Sequence, residues 1–343
     1  MSKHIAIVMI NWNGAQDTIE CLASLWNQSY QHFHVVLIDN HSTDNSVHQI
    51  LNWLQAPSVP STSRYQHLLN RSLPTSIPYM EVQTSPKTVL ASPAVYFLKN
   101  SENIGFARAS NQGIQFAQKY LKPDYIFLLN NDTFLLPDAL AHLVAAAEQY
   151  PHVAAFQSAI YYYDNPRQIW NVGGRILPWG QTRYYRRIPA KPVFPTQTVI
   201  GCALFLPRKT IETVGLLSEK FFHGEEDLNY SLRLRKARKT AVVVRQSIVY
   251  HKIARSSQKQ WNQRPQRLTN AALNRFLNFK EFYSPFLWHI WRLGSSVYYW
   301  GLLVFKYHRS MGEAFRLMIR IFRASSRVER VTSSTVATVI KDL

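Results

Sequence analysis

Short apolar segments alternate with segments of helical periodicity through the first half of the chain. The apolar segments are Ile5–Ile10, Val35–Ile38, Val95–Leu98 and Tyr125–Leu129. They are rich in β-branched and aromatic residues, as buried parallel strands are. Helical spacing in between predicts helices, among them Phe106–Tyr120, Pro137–Tyr150 and one capped by Asp44. This alternation predicts an α/β fold with a doubly wound, mostly parallel sheet, whose ligand crevice lies at the carboxyl ends of its strands.

One stretch interrupts the alternation. Residues 55–94 contain 17 Ser, Thr or Pro residues among 40 positions and show little periodicity. Such a composition is typical of loops that lie on the surface. We therefore predict a surface insertion, partly disordered, between a helix and the third strand.

Composition places the chain among globular proteins. Hydrophobic residues make up 46% and charged residues 17%, so a sizeable core can form, and disordered and fibrous classes are excluded. The two cysteines, Cys21 and Cys202, are far apart and provide neither a disulfide framework nor a Cys-rich metal site. This usage is typical of a reduced compartment. The first residues lack the features of a signal peptide, so we expect a cytoplasmic protein.

Positive charge is concentrated in the last third of the chain. Lys and Arg number 39 and Asp and Glu 20, which gives a net charge of +19. Residues 1–232 hold 17 basic and 16 acidic side chains, whereas residues 233–343 hold 22 and 4. A neutral body thus continues into a cationic tail, whose partners are expected among nucleic acids, anionic lipids and acidic substrates.

The tail also carries aromatic residues at helical spacing. The segment Phe286–Phe305 is rich in Trp, Tyr and Leu, but its longest charge-free run, Leu293–Phe305, has 13 residues, and a spanning helix needs roughly 20. A later apolar stripe is interleaved with arginines. It consists of Phe315, Met318, Ile319 and Phe322, with Arg316, Arg320, Arg323 and Arg327 between them. The pattern favours a helix lying in a membrane interface, with an amphipathic helix packed on the domain as the alternative.

Polar residues cluster where each of the four predicted strands ends. The clusters are Asn11–Gly14, Asp39–Asp44, Asn100–Arg108 and Asn130–Thr133. Any one of them is explained by turn formation, because Asn, Asp and Gly favour turns. Four clusters at one edge of one sheet favour a shared ligand crevice instead.

These clusters and three later segments, taken in order, resemble the GT-A glycosyltransferases of family 2, especially the branch that contains bacterial rhamnosyltransferases. The matching segments are Ile10–Gly14, Val36–Asp44, Asn103–Asn111, Leu128–Thr133, Gly201–Arg208, Phe221–Arg233 and Val249–Ser256. The resemblance implies a GT-A domain over residues 1–256, which includes the insertion 55–94. Residues 257–343 then form a basic, aromatic-rich helical tail that associates with membrane or packs on the domain.

The resemblance implies a nucleotide-diphosphate sugar donor, a dTDP- or UDP-sugar, bound at the strand ends. Asp39 would accept an N–H of uracil or thymine, with a cap on the following turn as the alternative. Amide and backbone groups would complete the nucleotide site. They come from Asn11, Asn13, Asn40, Asn103, Gly105, Phe106, Asn111 and Asn131.

A divalent metal ion, Mg²⁺ or Mn²⁺, is the implied cofactor, because a hard cation neutralises the charge that grows on a leaving diphosphate. The family's Asp-x-Asp motif corresponds here to residues 130–132, where only Asp132 keeps a carboxylate. Asn130 offers a neutral oxygen, and His251 matches a later family histidine that can join the metal. These three side chains form the expected metal site.

The acceptor side is expected to carry the catalytic base. By resemblance, Asp227 takes the proton of the acceptor hydroxyl, and Glu226 positions the acceptor or supports the loop; both acids also suit a helix N-terminus. One base and no evident nucleophile favour direct displacement with inversion. The family's membrane-embedded synthases carry a Gln-x-x-Arg-Trp motif that Gln258–Trp261 does not match, so we expect non-processive transfer.

The sequence therefore predicts a cytoplasmic glycosyltransferase, peripheral on the inner face of the cell membrane, that acts in cell-surface polysaccharide biosynthesis. Its acceptor would be a glycan or a lipid-linked glycan. We expect an anionic membrane surface as a partner and no nucleic acid. The alternative is a non-enzymatic nucleic-acid-binding protein, which the basic tail supports but which leaves the strand-end clusters unexplained.

Overall fold

The computed structural model describes residues 2–82, 86, 88–177, 179–252 and 264–341. The strands are β1 (Ile5–Asn11), β2 (Phe33–Asp39), β3 (Tyr79–Val82), β4 (Ala94–Lys99), β5 (Tyr125–Leu129), β6 (Thr133–Leu135), β7 (Ala155–Tyr162), β8 (Ile169–Asn171), β9 (Gly174–Ile176), β10 (Thr182–Tyr184), β11 (Val193–Thr196), β12 (Ala203–Pro207) and β13 (Ala241–His251). The helices are α1 (Ala15–Trp26), α2 (Ser46–Gln55), α3 (Phe106–Phe116), α4 (Ala139–Gln149), α5 (Arg208–Val214), α6 (Glu226–Lys236), α7 (Arg264–Lys280), α8 (Pro285–Gly301), α9 (Met311–Arg327) and α10 (Ser333–Ile340). A π-helical turn, Ala117–Leu121, extends α3, and another, Leu302–Lys306, extends α8.

Strand order places the four predicted strands side by side. Within the described ranges, eleven strands form one sheet in the order β11-β13-β7-β12-β5-β1-β2-β4-β3, with β6 beside β13 and β8 beside β7. The strands from β5 to β3 in this order are parallel, so their carboxyl ends share one edge. β12 runs antiparallel between β5 and β7, and β7 is parallel to β13. The predicted α/β class with a largely parallel sheet is confirmed.

Strand register brings distant residues to the same level of the sheet. Asn11 lies opposite Asp39 across the β1–β2 pair. Much later in the chain, β13 places His251 opposite Thr133 of β6. The loop after β5, which contains Asp132, therefore lies beside the end of β13.

Two apolar cores cover the two faces of the sheet, because successive residues of a strand point to opposite sides. Ile5, Ile7 and Met9 of β1 share a core with α1, α2 and α4. Ala6 and Val8 share the other core with α3 and α6. Burial on both faces explains why the central strands are continuous apolar runs rather than alternating ones.

The insertion contains more structure than its composition indicates. Its edge strand β3 pairs with β4, and the buried Tyr65 donates to the carbonyl oxygen of Tyr163 (2.6 Å). A four-residue, half-exposed strand is too short to show periodicity, so the sequence does not reveal it. Residues 83–85 and 87 lie outside the described residues.

The tail helices α7 to α10 pack on the α/β body. Phe221 of the body shares their core with Leu273, Phe276 and Ile321, and the backbone N–H of Val331 donates to the carbonyl of Lys220 (2.9 Å). Of the expected apolar stripe, Met318 is buried in this packing, Ile319 and Phe322 are half-buried and Phe315 is 59% exposed, so binding of the stripe to a membrane stays a prediction. The buried face of α9 consists of Ala314, Leu317, Met318, Ile321 and Ser325.

Residues 253–263 lie outside the described residues. They contain the end of the segment Val249–Ser256 and the stretch Gln258–Trp261. The expected domain boundary after residue 256 also falls there, and this boundary stays a prediction. Among the helices of the described ranges, none combines the length and the apolar character needed to cross a membrane.

Candidate functional site

An amide–carboxylate pair organises the ends of β1 and β2. Nδ2 of Asn11 donates to Oδ1 of Asp39 (2.7 Å), and both side chains are buried. The Asp39 carboxylate also accepts from the backbone N–H (2.9 Å) and the hydroxyl (2.6 Å) of Ser42. Asp39 thus caps the turn after β2, which is the alternative stated for it. Its Oδ2 accepts one hydrogen bond within the described part of the chain, so a lone pair remains for a base N–H.

Asparagine side chains join the loops that follow β1, β2 and β4. Oδ1 of Asn13 accepts from the backbone N–H of Thr43 (2.8 Å). Nδ2 of Asn40 donates to Oδ1 of Asn103 (2.9 Å), which also accepts from the N–H of Gly105 (3.0 Å). These residues of the expected nucleotide site therefore meet at one edge, and their hydrogen bonds fix the loops around it.

Gly105 lets the loop after β4 approach the acceptor-side segment. Its φ is +82°, in the region that favours glycine, and a Cβ there would lie 2.7 Å from the carbonyl oxygen of Phe222. The backbone N–H of Phe106 donates to the same oxygen (3.2 Å). The expected nucleotide site is thereby in direct contact with the segment that precedes Glu226.

Asn111 and Asn131 make internal contacts instead of facing an open pocket. The buried Asn111 amide donates to the Leu217 carbonyl and the Glu219 carboxylate and accepts from the Leu217 N–H, each at 2.9 Å. It has no donor left for a nucleotide, so its contacts do not support the expected binding role. Nδ2 of Asn131 donates to Oγ1 of Thr18 (2.9 Å), which fixes the loop after β5 on α1.

Strand β13 brings a histidine to the loop after β5. Nε2 of His251 lies 3.1 Å from Oδ1 of Asp132, and both side chains are buried. Burial raises the pKa of Asp132, but His251, a backbone N–H and Lys252 together outweigh this effect and hold that pKa below its usual value. Burial lowers the pKa of His251, whereas Cys202 and Asp132 raise it well above its usual value. Asp132 is therefore a buried, ionised ligand candidate.

Two of the side chains expected to hold a metal ion, Asp132 and His251, are in contact, and Asn130 belongs to the same loop as Asp132. In the described ranges, no cluster of three or more His, Cys, Asp and Glu side chains could hold a metal ion. Asn130 adds a third oxygen or nitrogen ligand, since its buried Oδ1 has no hydrogen-bond partner in those ranges. A buried amide oxygen without a donor is costly unless a ligand satisfies it. One carboxylate, one amide oxygen and the His251 imidazole, which must first give up its proton to the incoming cation, thus fit a divalent cation that phosphate oxygens also coordinate.

The acceptor-side acids lie at the start of α6. Glu226 is buried, and its Oε2 has no hydrogen-bond partner among the described residues. Burial and then the charge of Asp227 raise the pKa of Glu226. Burial and then the charge of Glu225 raise the pKa of Asp227. Two adjacent carboxyl groups, one buried and one half-buried, resist double ionisation, and a carboxylate with a raised pKa is a stronger base than a free one.

One turn joins the metal side to the acid side. The backbone N–H of Gly201 is among the groups that lower the pKa of Asp227, so it lies close to that carboxylate, and the carbonyl of Cys202 accepts from the N–H of Asn130 (3.0 Å). Burial raises the pKa of the Cys202 thiol, His251 lowers it, and the charges of Asp132 and then Asp227 raise it. The two aspartates therefore flank the same turn, just before β12.

Helix α7 of the tail fixes the segment that precedes the acids. Glu225 has a φ of +74°, which is uncommon for a residue other than glycine. Its Oε1 lies 2.7 Å from Nη2 of Arg275, and its Oε2 accepts from Asn278 (3.0 Å). Asn274 donates to the carbonyl of His223 (3.0 Å). The sequence did not reveal these contacts, because nothing local to α7 indicates what it packs against.

A buried charge network behind the metal side was also not predicted. Nζ of Lys252 lies 2.7 Å from Oδ1 of Asp17 and contacts the Glu20 carboxylate. Tyr163 donates to the same carboxylate (2.6 Å) and places its ring 4.8 Å from the Lys252 nitrogen. The one sequence feature that could have indicated this network is the pair of acids on α1, Asp17 and Glu20, three residues apart. The lysine that pairs with them lies 235 residues from Asp17 in the chain.

Comparison with known proteins places the chain in a family. The model of the family described as Glycosyl transferase family 2 matches residues 6–68 and 86–215, which is more than half of the chain. The chain belongs to glycosyl transferase family 2. None of the curated proteins matches it.

Solved structures share the fold of this family 2 protein. GalNAc-T7, solved with UDP, GalNAc and Mn²⁺, has a TM-score of 0.57 at 14% identity over 81% of this chain and 48% of its own. The mannosyltransferase PcManGT from Pyrobaculum calidifontis, solved with GDP-Man and Mn²⁺, has a TM-score of 0.50 at 13% identity over 98% of this chain and 79% of its own. TarS 1-349 of S. aureus has a TM-score of 0.54 at 10% identity over 98% of this chain and 83% of its own. The chain spans about half the length of GalNAc-T7 (48%), and the predicted GT-A fold is confirmed.

Replacement of Lys252 by methionine should destabilise the family 2 protein strongly. It removes the cation between two buried carboxylates, and breaking a buried ion pair costs about 3–5 kcal/mol. The matched control is Lys3→Met, because the pair of Lys3 with Asp124 is exposed and such a pair contributes about 1 kcal/mol or less. Urea unfolding followed by circular dichroism measures both. Equally small losses of unfolding free energy would show that the buried network does not stabilise the fold.

Proposed function

We propose that this family 2 protein is an inverting, metal-dependent, non-processive glycosyltransferase. It moves a sugar from a nucleoside diphosphate donor to a glycan or lipid-linked glycan acceptor. The observation that carries the proposal is the turn at Gly201 and Cys202, whose Cys202 carbonyl accepts from Asn130 N–H (3.0 Å) in the loop of Asp132 and whose Gly201 lies close to Asp227. A cation site beside a proton acceptor supplies the two functions that transfer from a sugar diphosphate requires.

The reaction follows from the chemistry of these groups. The acceptor hydroxyl oxygen bonds to the anomeric carbon while the bond from that carbon to the diphosphate oxygen breaks. Asp227 accepts the hydroxyl proton, and the electron pair of the broken bond stays on the diphosphate. A divalent cation held by Asn130, Asp132 and His251 would supply positive charge next to the leaving diphosphate. Attack opposite the leaving group inverts the anomeric configuration.

The role proposed for Glu226 in the reaction differs from that of Asp227. Its raised pKa favours the protonated carboxyl, which donates a hydrogen bond, whereas the ionised Asp227 accepts one. Two acids whose surroundings separate their pKa values in this way are suited to opposite tasks. Glu226 therefore orients the acceptor hydroxyl or a donor hydroxyl group, and Asp227 removes the proton.

The asparagine-rich edge is proposed to bind the nucleoside of the donor. Asp39 would accept the N–H of thymine or uracil through Oδ2, and Asn11 and Asn40 hold the surrounding loops. The resemblance to rhamnosyltransferases favours deoxythymidine-diphosphate rhamnose, with UDP-sugars as the other choice. The solved structures of the same fold contain UDP in GalNAc-T7 and GDP-Man in PcManGT. The fold therefore accommodates more than one base.

We further propose that the enzyme acts at the inner face of the cell membrane, in cell-surface polysaccharide synthesis, and docks there through α8. One side of α8 is apolar and between 53% and 72% exposed. Its residues are Phe286, Ile290, Leu293 and Val297. Exposed basic side chains follow in sequence, namely Lys306, Arg309, Arg316, Arg323 and Arg327. An exposed apolar helix face near cationic side chains favours binding to an anionic lipid surface.

Nucleic acid is a weaker explanation of the basic tail. Phosphate backbones attract Lys and Arg, but they give no reason for an exposed apolar face on α8. Nucleic-acid binding would also leave the paired sites at Asp132 and Asp227 without a use. Stabilisation by nucleoside diphosphate with Mn²⁺, compared with stabilisation by oligonucleotides, separates the two functions.

The variant Asp132→Asn tests the metal side. It keeps the size of the side chain and removes its charge, so Mn²⁺ should no longer increase the thermal stabilisation by UDP or dTDP. Thermal unfolding with nucleotide, with and without Mn²⁺, measures this. The control Asp138→Asn changes an exposed carboxylate before α4 and should keep the full effect of Mn²⁺. A retained effect in Asp132→Asn would make the metal assignment wrong.

The variant Asp227→Asn tests the base. Transfer should fall by about 10²–10⁴-fold, the usual contribution of general-base catalysis, while UDP or dTDP still stabilises the protein. In the wild type, transfer should decline as the pH falls through a pKa above the ordinary Asp value of about 4. The variant should lack this decline, because no carboxylate at position 227 is left to protonate. Release of nucleoside diphosphate across a pH series measures both. If only Glu226→Gln abolished transfer, the two roles would be exchanged.

Serine substitutions at Phe286, Ile290, Leu293 and Val297 test membrane docking. The wild type should sediment with phosphatidylglycerol vesicles, not with phosphatidylcholine vesicles, and high salt should release it only in part. Loss of the apolar face should weaken the partition by about ten-fold or more. The control replaces Val59 and Val89, which are exposed apolar residues outside the tail. Unchanged sedimentation of the α8 variant would contradict the proposed docking face.

A further inference from the structure

Strands β9 and β10 pair antiparallel as a hairpin apart from the large sheet, and a cleft of about 630 Å³ opens between this hairpin and the tail. Its walls come from the hairpin turn, from α7 and from α8. The residues used below are Trp179, Gln181, Thr182, Arg275, Trp291 and Tyr298. The volume is within the range of sites that bind small ligands. None of the residues of the expected nucleotide and metal sites lines this cleft, so its occupant is not the donor nucleotide.

Arg275 connects the cleft to the acceptor-side acids. It lines the cleft, and its Nη2 lies 2.7 Å from Oε1 of Glu225, the residue directly before Glu226. Its Nη1 donates to the carbonyl of Gly180 in the hairpin turn (2.9 Å). One guanidinium thus ties the wall of the cleft to the segment that carries the base.

The β9–β10 hairpin also connects the cleft to the region of the acids. Thr182, the first residue of β10, lines the cleft, and Tyr184, the last, lies close to the base. Burial raises the pKa of the Tyr184 phenol, and the negative charges of Asp227 and then Glu225 raise it further. The strand therefore extends from the cleft toward the acids, and the 2.7 Å contact of Arg275 with Glu225 is the direct link between the cleft and the segment of the proposed base.

The lining combines aromatic faces with polar side chains. Trp179 is 56% and Tyr298 51% exposed, so ring surface is accessible to a ligand. Trp291 donates its indole N–H to the Trp179 carbonyl (2.8 Å), which joins α8 to the turn. Gln181 and Thr182 add hydrogen-bonding groups. The C–H face of a pyranose ring packs on aromatic rings while its hydroxyls bond to polar side chains, and aromatic residues with polar neighbours suit such a two-faced ligand.

We propose that this cleft binds a pyranose ring of the acceptor glycan, with Trp179 and Tyr298 as the stacking surfaces. The inference rests on the proposed transferase function and deepens it by locating the acceptor. A polyprenyl chain is the competing occupant. The amide, hydroxyl and guanidinium groups of the lining disfavour it, because an alkyl chain leaves such groups without partners.

Saturation-transfer NMR tests the cleft directly. The probes are millimolar methyl glycosides of rhamnose, glucose, galactose, mannose and N-acetylglucosamine, with farnesyl phosphate as the lipid probe. Saturation of the aromatic protons of the wild type should pass to ring C–H protons of at least one glycoside. Trp179→Ala and Tyr298→Ala should each weaken that binding by about 2- to 10-fold, as expected for loss of one aromatic contact.

The matched control is Tyr79→Ala, because Tyr79 lies on β3, the edge strand of the eleven-stranded sheet, and does not line the cleft. This variant should keep the wild-type signal. The two cleft residues are half exposed, so at least one variant is expected to fold, and thermal unfolding verifies this. Absence of transfer to every glycoside, or full transfer in both folded cleft variants, would overturn the proposal. Transfer to farnesyl phosphate alone, lost in the variants, would assign the cleft to lipid instead.

A second measurement separates this inference from the proposed function. Stabilisation of the wild type by UDP or dTDP with Mn²⁺ reports on the donor site and not on the cleft. If that stabilisation is present and the glycosides do not bind, the acceptor assignment fails while the transferase proposal stands. If the nucleotides do not stabilise the wild type, the proposed function itself fails.

Discussion

Burial of charge is the constraint on which the site depends. A carboxylate removed from water needs a cation or several hydrogen-bond donors, and most carboxylates near the strand ends have them. Asp132 lies against His251, Glu20 against Lys252 and Glu225 against Arg275. Among the described residues, Glu226 and Asp227 have no such cation, and burial and then the charges of the neighbouring acids raise their pKa values. The acids left without a cation are the ones suited to exchange a proton with a substrate.

The same constraint explains why the tail is part of the site. The start of α6 requires an unusual backbone conformation at Glu225, and α7 supplies the arginine and asparagine side chains that hold it. The core that α7 forms with α9 includes Phe221 of the body. Packing of the tail therefore contributes to the position of Asp227, the proposed base, although the tail lies beyond the matched family segment, residues 6–68 and 86–215.

Helix α8 has two different faces. One face packs over α7 and lines the cleft next to the acids, and the opposite face leaves Phe286 and Val297 in contact with solvent. If the outer face binds lipid and the cleft binds sugar, as proposed, α8 would hold a lipid-linked acceptor at the membrane surface with its glycan near Asp227. The positive charge of the tail then adds electrostatic attraction without occupying the site.

The sequence by itself determined the central strands and the polar clusters at their ends. Continuous apolar runs and turn residues are local signals, and β1, β2, β4 and β5 follow them closely. The ordered motifs also indicated family 2 and the candidate side chains. Other features depend on residues far apart in the chain. His251 reaches Asp132 across 119 positions because β13 pairs with β6 and β7. Likewise, which side of α9 is buried depends on the helices that pack on it, so only the tertiary structure decided that Leu317 is buried and Phe315 exposed. Periodicity records that a helix has an apolar side, but long-range packing selects the residues that it covers.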